Sequence, residues 1–201
     1  IECCKEFGIK LSANLNIFGG GSKAESGILD GHPERAYWEE MLQHPMDKGT
    51  IKPERQSLGR GDVVFLNPAA DDVQKYVLDS IRELLENYYV DGITLDRCRY
   101  DNIYADFSEV TKDKFIKYLD SKGKQLDSWP DDVFKIDENG NKIDGKHYID
   151  WCTFRSGLIK DFTTKVRAMI DAFNQKENKN VELSVYVGSW YPLIYENGIN
   201  W

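Results

Sequence analysis

Alternating apolar and polar residues mark three segments of the chain as buried β-strands. They run from Gly8 to Asn16, from Asp91 to Asp96 and from Val181 to Val187. In each segment every second residue is apolar, and small polar residues occupy many of the positions between them. A sheet that helices cover on one face only, with small polar residues on the other, is more typical of a barrel wall than of an open sheet.

A segment with apolar residues at helical spacing lies before or after each predicted strand. Apolar residues recur at helical spacing after Asn67-Pro68, which predicts a helix capped by Asn67. A second helix is predicted with Thr111 as its cap, and a third from about Tyr148 to Phe173. This order predicts an α/β chain of the (β/α)8 TIM-barrel type with parallel strands. Because a complete barrel takes ~250 residues, we expect the 201 residues to form an incomplete barrel or a fragment of one.

Two irregular stretches interrupt the pattern. Residues 17–62 are rich in glycine, proline and charge, and a loop of this length is usually functional. Within residues 129–145, short apolar runs flank Asn139-Gly140, which predicts a β-hairpin. We therefore expect residues 1–201 to be part of a single barrel domain, with a long loop at about 17–62 and a hairpin insertion at about 129–145. A short fourth strand is predicted from Val63 to Leu66.

Composition narrows the classes of partner. The chain has 34 acidic and 26 basic residues and a net charge of -8, so phosphate neutralisation does not favour nucleic acid as a partner. No apolar run approaches the ~20 residues of a transmembrane helix. The three histidines are scattered, so no metal site is expected. No phosphate- or dinucleotide-binding glycine motif is present, and we expect no cofactor.

In a barrel of this type the working residues follow the carboxyl ends of the strands. Asp96 ends the second strand on its polar face, where it can act as nucleophile, general base or substrate anchor. Alternatively, Asp96 pairs with Arg97 or Arg99 and only shapes the loop. Arg99 either holds Asp96 in its charged form, binds a substrate carboxylate or hydroxyls, or forms a structural salt bridge at the rim.

Asparagines and aromatic residues fall at the same ends of the strands. Asn14 and Asn16 lie on the polar face of the first strand, and Trp190 and Tyr191 follow the third. Since the apolar faces of sugar rings stack on aromatic side chains, a carbohydrate is the expected partner. Each ring alone is more often a packing residue. The aromatic candidates in or beside these loops are Trp38, Tyr100, Tyr104, Trp190, Tyr191 and Tyr195.

These residues also carry a family resemblance. The segment VDGITLDRCRY, residues 90–100, resembles the signature of the family 10-like glycosyl hydrolases, bacterial (β/α)8 proteins. The segments LNPAADDVQKY, residues 66–76, and GIKLSANLN, residues 8–16, are similar to two more of its motifs, as is the C-terminal region. The matching positions are Asn16, Asp96, Arg99, Tyr100 and Trp201. The departures are Ser12, Arg97, Cys98 and Asn200.

The resemblance implies a glycoside hydrolase that cleaves a bacterial or dietary glycan through a carboxylate pair that includes Asp96. It also implies a location in the bacterial periplasm, in the cell envelope or outside the cell. The substrate-binding residues would be Asn14, Asn16, Arg97, Arg99, Tyr100, Trp190 and Tyr191. The second acid stays open among Asp101, Asp106, Glu109, Glu196 and a residue outside the chain. The alternative is a catalytically silent carbohydrate-binding barrel of a glycan-uptake system, which Arg97 supports because that position is often acidic.

Overall fold

The protein is represented by a computed structural model that describes residues 1–22, 27–188 and 196–199. Helices and strands alternate along these residues. The helices are α1 (Glu2–Glu6), α2 (Asp71–Asn87), α3 (Glu109–Asp120) and α4 (Tyr148–Glu177). The strands are β1 (Ser12–Asn16), β2 (Gly19–Ser22), β3 (Met41–Gln43), β4 (Ile51–Pro53), β5 (Val63–Phe65), β6 (Gly92–Asp96), β7 (Phe134–Ile136), β8 (Lys142–Asp144) and β9 (Glu182–Val185).

A parallel sheet of three strands, in the order β1-β6-β9, lies at the centre of the fold. Its register places Asn14 beside Thr94, and Thr94 beside Ser184. These are the three strands that the sequence predicts, so the α/β class with parallel strands is confirmed. Within the described residues the parallel strands form this open sheet and not a closed barrel, and the other strands form three two-stranded antiparallel sheets.

The two faces of the sheet differ as the alternation predicts. Ile93 and Leu95 are fully buried in a core that also contains apolar residues of α2 and α4. The opposite face is polar and open, with the Ser12 and Thr94 hydroxyl oxygens 3.2 Å apart. Thr94 and Asp96 therefore face away from the helices, which confirms the predicted register.

The helices are present, but two of their starting points differ from the prediction. Helix α2 begins at Asp71, because Asn67 forms a turn ahead of it: its Oδ1 accepts a hydrogen bond from the Ala69 N–H at 2.7 Å. Ser108, not Thr111, caps α3, and its Oγ accepts from the Thr111 N–H. The N-cap position of α2 is Ala70, which makes no side-chain capping hydrogen bond, whereas Ser108 lies three positions before Thr111 and is as good a capping residue type.

The segment from Ile17 to Asp62 is irregular but well structured where it is described. It contains β2, β3 and β4 and three short 3₁₀ helices, Pro33–Trp38, Pro45–Asp47 and Glu54–Gln56. The fourth strand expected at Val63–Leu66 exists as β5, but it pairs antiparallel with β2 and does not join the parallel sheet. The residue after β5 is joined to the residues that follow β1, since the Leu66 N–H donates to the Phe18 carbonyl at 2.7 Å. At the carboxyl ends of β1 and β6, the Ile17 N–H donates to the Asp96 carbonyl at 2.8 Å.

The predicted hairpin is formed by β7 and β8, which pair antiparallel around a turn with Gly140 at φ 82°. It packs on a second hydrophobic cluster, separate from the core under the sheet. Trp151 of α4 stacks there on Phe107, with ring centroids 5.2 Å apart. Helix α4 thus contributes to both clusters. None of the helices in the described residues is long and apolar enough to cross a membrane.

Candidate functional site

A cavity of about 460 Å³ lies at the carboxyl ends of the three parallel strands. Its volume is in the range of small-molecule sites. Each strand of the sheet contributes to it, since Asn14 belongs to β1, Asp96 ends β6 and Tyr186 follows β9. The described residues that line it are Asn14, Asp96, Arg97, Arg99, Tyr186, Gly188 and Asn197. Four of the residues expected from the sequence, Asn14, Asp96, Arg97 and Arg99, are therefore brought together.

Arg97 holds both carboxylate oxygens of Asp96. Its backbone N–H donates to Oδ1 at 2.8 Å, and its Nη1 lies 3.0 Å from Oδ2. Arg97 has a φ of 48°, in the left-handed region that few non-glycine residues adopt. The left-handed backbone lets Arg97 contact the Asp96 carboxylate through both its N–H and its guanidinium. The Asp96 side chain is 26% exposed, so the pair remains accessible from the cavity.

Arg99 is held by different groups. Its Nη1 donates to the backbone carbonyls of Tyr100 and Asp101, at 2.8 and 2.9 Å. Its guanidinium lies over the Phe65 ring, 4.9 Å from the centroid. Of the two partners that the sequence left open for Asp96, the structure therefore selects Arg97.

The loop after β6 is fixed to residues near the end of the chain. The Asn197 side-chain amide donates to the Tyr100 and Asp101 carbonyls, and the Tyr100 N–H donates to the Asn197 carbonyl at 3.1 Å. Arg155, fully buried on α4, donates through Nη2 to the carbonyls of Asn102 and Glu196. Sequence reasoning missed both Asn197 and Arg155, because nothing near them in the sequence indicates a contact with this loop.

Tyr100 is a correction to the expected site. Its side chain is fully buried, and the Arg155 guanidinium lies 4.3 Å from its ring centroid. Tyr100 therefore packs beneath the loop after β6 and does not line the cavity. Trp38 is buried and packs against Tyr76, and Tyr104 is half-buried and packs against His44, so neither lines the cavity. Tyr186, which is 69% exposed, is the aromatic residue among those that line the cavity.

Four further residues were expected at the site. Asn16 ends β1 beside Asp96, and its side chain is exposed and lies over Gly19, where a Cβ atom would come within 2.2 Å of it. It is not among the residues lining the cavity. Trp190, Tyr191 and Tyr195 lie outside the described residues.

Two glutamates beneath this region, Glu40 and Glu54, are buried and form no ion pair within the described residues. Burial raises the pKa of Glu40 well above its ordinary value, and the charge of Glu54 adds to that effect. Burial, with a contribution from the Asp101 charge, raises the pKa of Glu54 to about 9. Glu54 accepts a hydrogen bond from the Phe65 N–H, and Glu40 accepts one from the Asp101 N–H. No pattern in the sequence indicated either residue, since both lie in the irregular segment.

The candidates for a second catalytic acid do not join Asp96 in the cavity. Asp106 is fully buried and accepts hydrogen bonds from Ser108, Thr111 and the Met41 N–H. Glu109 is exposed and paired with Lys112. Asp101 and Glu196 adjoin the loop after β6, but neither is among the described residues that line the cavity. Asp96 is the one acidic residue in that set. The described residues also contain no group of three or more His, Cys, Asp or Glu side chains positioned to hold a metal ion.

Comparisons with known proteins found similarity in sequence and in fold. The chain is 45% identical over 203 residues to an S-layer-related protein of Niallia circulans, and the match covers 100% of the chain but 12% of that protein. The chain thus spans about an eighth of the length of this curated relative. The fold is similar to the PgaB (BpsB) glycoside hydrolase domain from Bordetella bronchiseptica, with a TM-score of 0.62 and 15% identity over 98% of this chain and 48% of that one.

A family model, glycosyl hydrolase-like 10, matches residues 11–198, which include the sheet, the cavity and both hydrophobic clusters. The match includes residues 66–76 and 90–100 and most of residues 8–16, and it confirms the resemblance seen in the sequence. The chain belongs to the glycosyl hydrolase-like 10 family.

Proposed function

We propose that this chain forms the glycan-binding cleft of a glycoside hydrolase and that Asp96 is one of two catalytic carboxylates. The observation that carries the proposal is the position of Asp96. It ends a central parallel strand, on the polar face, and lines a cavity together with side chains from β1 and from the residue following β9. Catalytic residues of barrel enzymes occupy this position.

The contacts of Asp96 favour one role within such a mechanism. Hydrolysis of a glycosidic bond normally uses one carboxyl group as acid and another as nucleophile or base. Both oxygens of Asp96 accept from Arg97, one from its N–H and one from its guanidinium, which is the arrangement expected of an ionised carboxylate. We therefore assign it the role of nucleophile or general base, and the general acid comes from a residue not yet identified.

Other side chains in the cleft bind the substrate in this proposal. Asn14 offers an amide to sugar hydroxyls, and Arg97 and Arg99 offer guanidinium donors. Tyr186 supplies an exposed ring on which a sugar can stack. Asn16, Trp190 and Tyr191 remain proposed substrate-binding residues from the sequence.

We further propose that the three-stranded sheet is part of a (β/α)8 barrel domain that includes residues 1–201, with the segment at 17–62 and the hairpin at 129–145 as additions to it. The parallel order, the helix-covered apolar face and the polar opposite face support this architecture. A location in the cell envelope or outside the cell is supported by the S-layer-related protein that the chain resembles.

A specific observation favours a second candidate function, a catalytically silent carbohydrate-binding barrel. Arg97 occupies both oxygens of Asp96, and no second acidic residue lines the cavity within the described residues. A protein of this kind would bind the glycan through the same cleft without cleaving it.

A glycan panel distinguishes the two functions. The panel contains bacterial cell-wall polysaccharides and dietary glycans, and the protein is tested for new reducing ends and, by calorimetry, for binding. A hydrolase is expected to release reducing ends from at least one glycan that it binds. Binding without release on every glycan would favour the silent barrel, and absence of both would contradict carbohydrate recognition at this cleft.

A further inference from the structure

The cavity beside Asp96 contains more positive than negative charge, although the chain as a whole carries a net charge of -8. Two arginines and one aspartate line it. Arg97 is paired with Asp96 at 3.0 Å, but Arg99 forms no ion pair within the described residues. The guanidinium of Arg99 is therefore the charge of the cavity that lacks an ion-pair partner among the described residues.

Arg99 is also fixed in place. Its Nη1 is hydrogen-bonded to two backbone carbonyls, and its guanidinium packs over the Phe65 ring. The Nε and Nη2 groups donate to no acceptor among the described residues. A guanidinium that is oriented in advance loses little conformational entropy when it binds a ligand, and its free donors are suited to an oxyanion.

Asp101 and Glu40 lie near enough to interact electrostatically with Arg99, but within the described residues neither forms an ion pair with it. Asp101 offers Arg99 its backbone carbonyl, while its carboxylate accepts a hydrogen bond from the Asn102 side chain at 2.6 Å. Burial raises the pKa of Glu40 well above its ordinary value, which disfavours the negative charge that would offset Arg99. A partly buried cation without a counter-ion is costly for the folded protein, and an anionic ligand would remove that cost.

We propose that Arg99 binds an anionic substituent, a carboxylate or a phosphate, on the sugar that occupies the cleft. This inference rests on the proposed function and names the substrate class, an acidic glycan in place of a neutral one. The net charge of the chain repels a dense polyanion at long range. A glycan with one acidic group on the sugar that Arg99 contacts therefore fits the structure better than a polyanion does.

Four monosaccharides of matched shape test the proposal: glucuronate against the neutral glucuronamide, and glucose 6-phosphate against glucose. Their affinities are measured by NMR titration of the wild-type protein and of Arg99→Gln, Arg99→Lys and Arg82→Gln. Arg82 is a control because it lies exposed on α2 and is paired with Asp79, outside the cavity. Thermal unfolding of each variant confirms that it is folded.

We expect at least one charged sugar to bind the wild type about tenfold more tightly than its neutral counterpart, as one charge-assisted contact provides. Arg99→Gln should abolish that preference, Arg99→Lys should restore part of it, and Arg82→Gln should leave it unchanged. The preferred pair, glucuronate or glucose 6-phosphate, identifies the anion.

Equal affinity for charged and neutral sugars, a preference that survives Arg99→Gln in a folded protein, or no binding of any of the four would overturn the inference. Failure of the proposed function gives a different result, because it appears as absence of both binding and hydrolysis on the full glycan panel. A chain that binds or cleaves neutral glycans would retain the proposed function and lose only this inference.

Discussion

Asp96 and Arg97 act as a unit at the residue scale. The left-handed backbone of Arg97 brings its N–H and its guanidinium onto the same carboxylate. A substrate that approaches Asp96 therefore meets a carboxylate whose orientation is already fixed. Arg97 is best described as a positioning residue, because its contacts reach the reaction through Asp96.

Replacing Arg97 tests this coupling. We expect Arg97→Gln to lower turnover by less than Asp96→Asn does, since the carboxylate is retained but no longer held by an ion pair. The double variant should be no slower than Asp96→Asn alone, because residues that act together have non-additive effects. Turnover of the three variants on the same glycan measures the coupling, and fully additive losses would show that the two side chains act independently.

The sequence predicts the residues of the strands well and those of the loops poorly. Asn14 and Asp96 follow from the two-residue period of a strand, which fixes the face of every side chain once one is known. Tyr100 lies in the loop after β6, where no such period applies, and its side chain turned out to be buried. The contact of Asn197 with this loop depends on a distant part of the chain and leaves no local pattern in the sequence.

At the scale of helices and strands, the sequence again predicts periodic segments better than irregular ones. The three parallel strands and α4 have strong periodicity and were all predicted. The bounds of β6 and the start of α4 lie within one residue of the prediction, whereas β1 begins four residues later and β9 ends two residues earlier than predicted. The partner of β5 was not predictable, because its short apolar run fits a parallel or an antiparallel strand equally well. The segment between β2 and β5 contains the buried Glu40 and Glu54, which tie short strands together through backbone contacts: the Glu54 N–H donates to the Glu40 carbonyl at 2.9 Å.

Buried Glu54 should make the stability of this segment depend on pH. Its pKa is raised from 4.5 to about 9 in the folded protein, so the folded chain keeps a proton that the unfolded chain releases. The free energy of unfolding should therefore fall as the pH rises from about 5 to about 9. We expect the Tm of the wild type to drop by ~4 °C or more over this range.

Glu54→Gln should show a smaller drop, because glutamine cannot ionise, and a residual slope should remain from Glu40. Glu86→Gln, at an exposed position on α2, is the matched control and should behave like the wild type. Thermal unfolding at several pH values between 5 and 9 gives the comparison. Identical slopes for the wild type and Glu54→Gln would contradict the buried, protonated state of Glu54.

Helix α4 connects the two hydrophobic clusters at the scale of the whole molecule. Its Trp151 lies in the cluster beside the hairpin, and its Phe162 packs against Phe18 in the core under the sheet, with ring centroids 5.0 Å apart. Because one continuous helix joins both clusters, we expect the protein to unfold in a single cooperative transition.

Trp151→Ala tests this connection. Removing a fully buried aromatic side chain should lower the free energy of unfolding by ~3–5 kcal/mol and shift the whole transition. Ile149→Ala is a control on the same helix, at a side chain that is 74% exposed, and should change stability little. Denaturant unfolding followed by circular dichroism and by tryptophan fluorescence checks both points. Two separate transitions, or a loss below ~1 kcal/mol for Trp151→Ala, would contradict the single-unit description.

The central claim, that Asp96 is a catalytic carboxylate in a glycan-binding cleft, is tested most directly by Asp96→Asn. Turnover, glycan binding and thermal unfolding are measured on one preparation of the wild type and the variant, with a glycan that the panel shows to be cleaved. We predict that turnover falls by ~10³-fold or more while glycan affinity and Tm stay close to wild type, because an interaction of the transition state is removed. A lowered Tm with turnover close to wild type would contradict the claim and make Asp96 a structural residue of the loop.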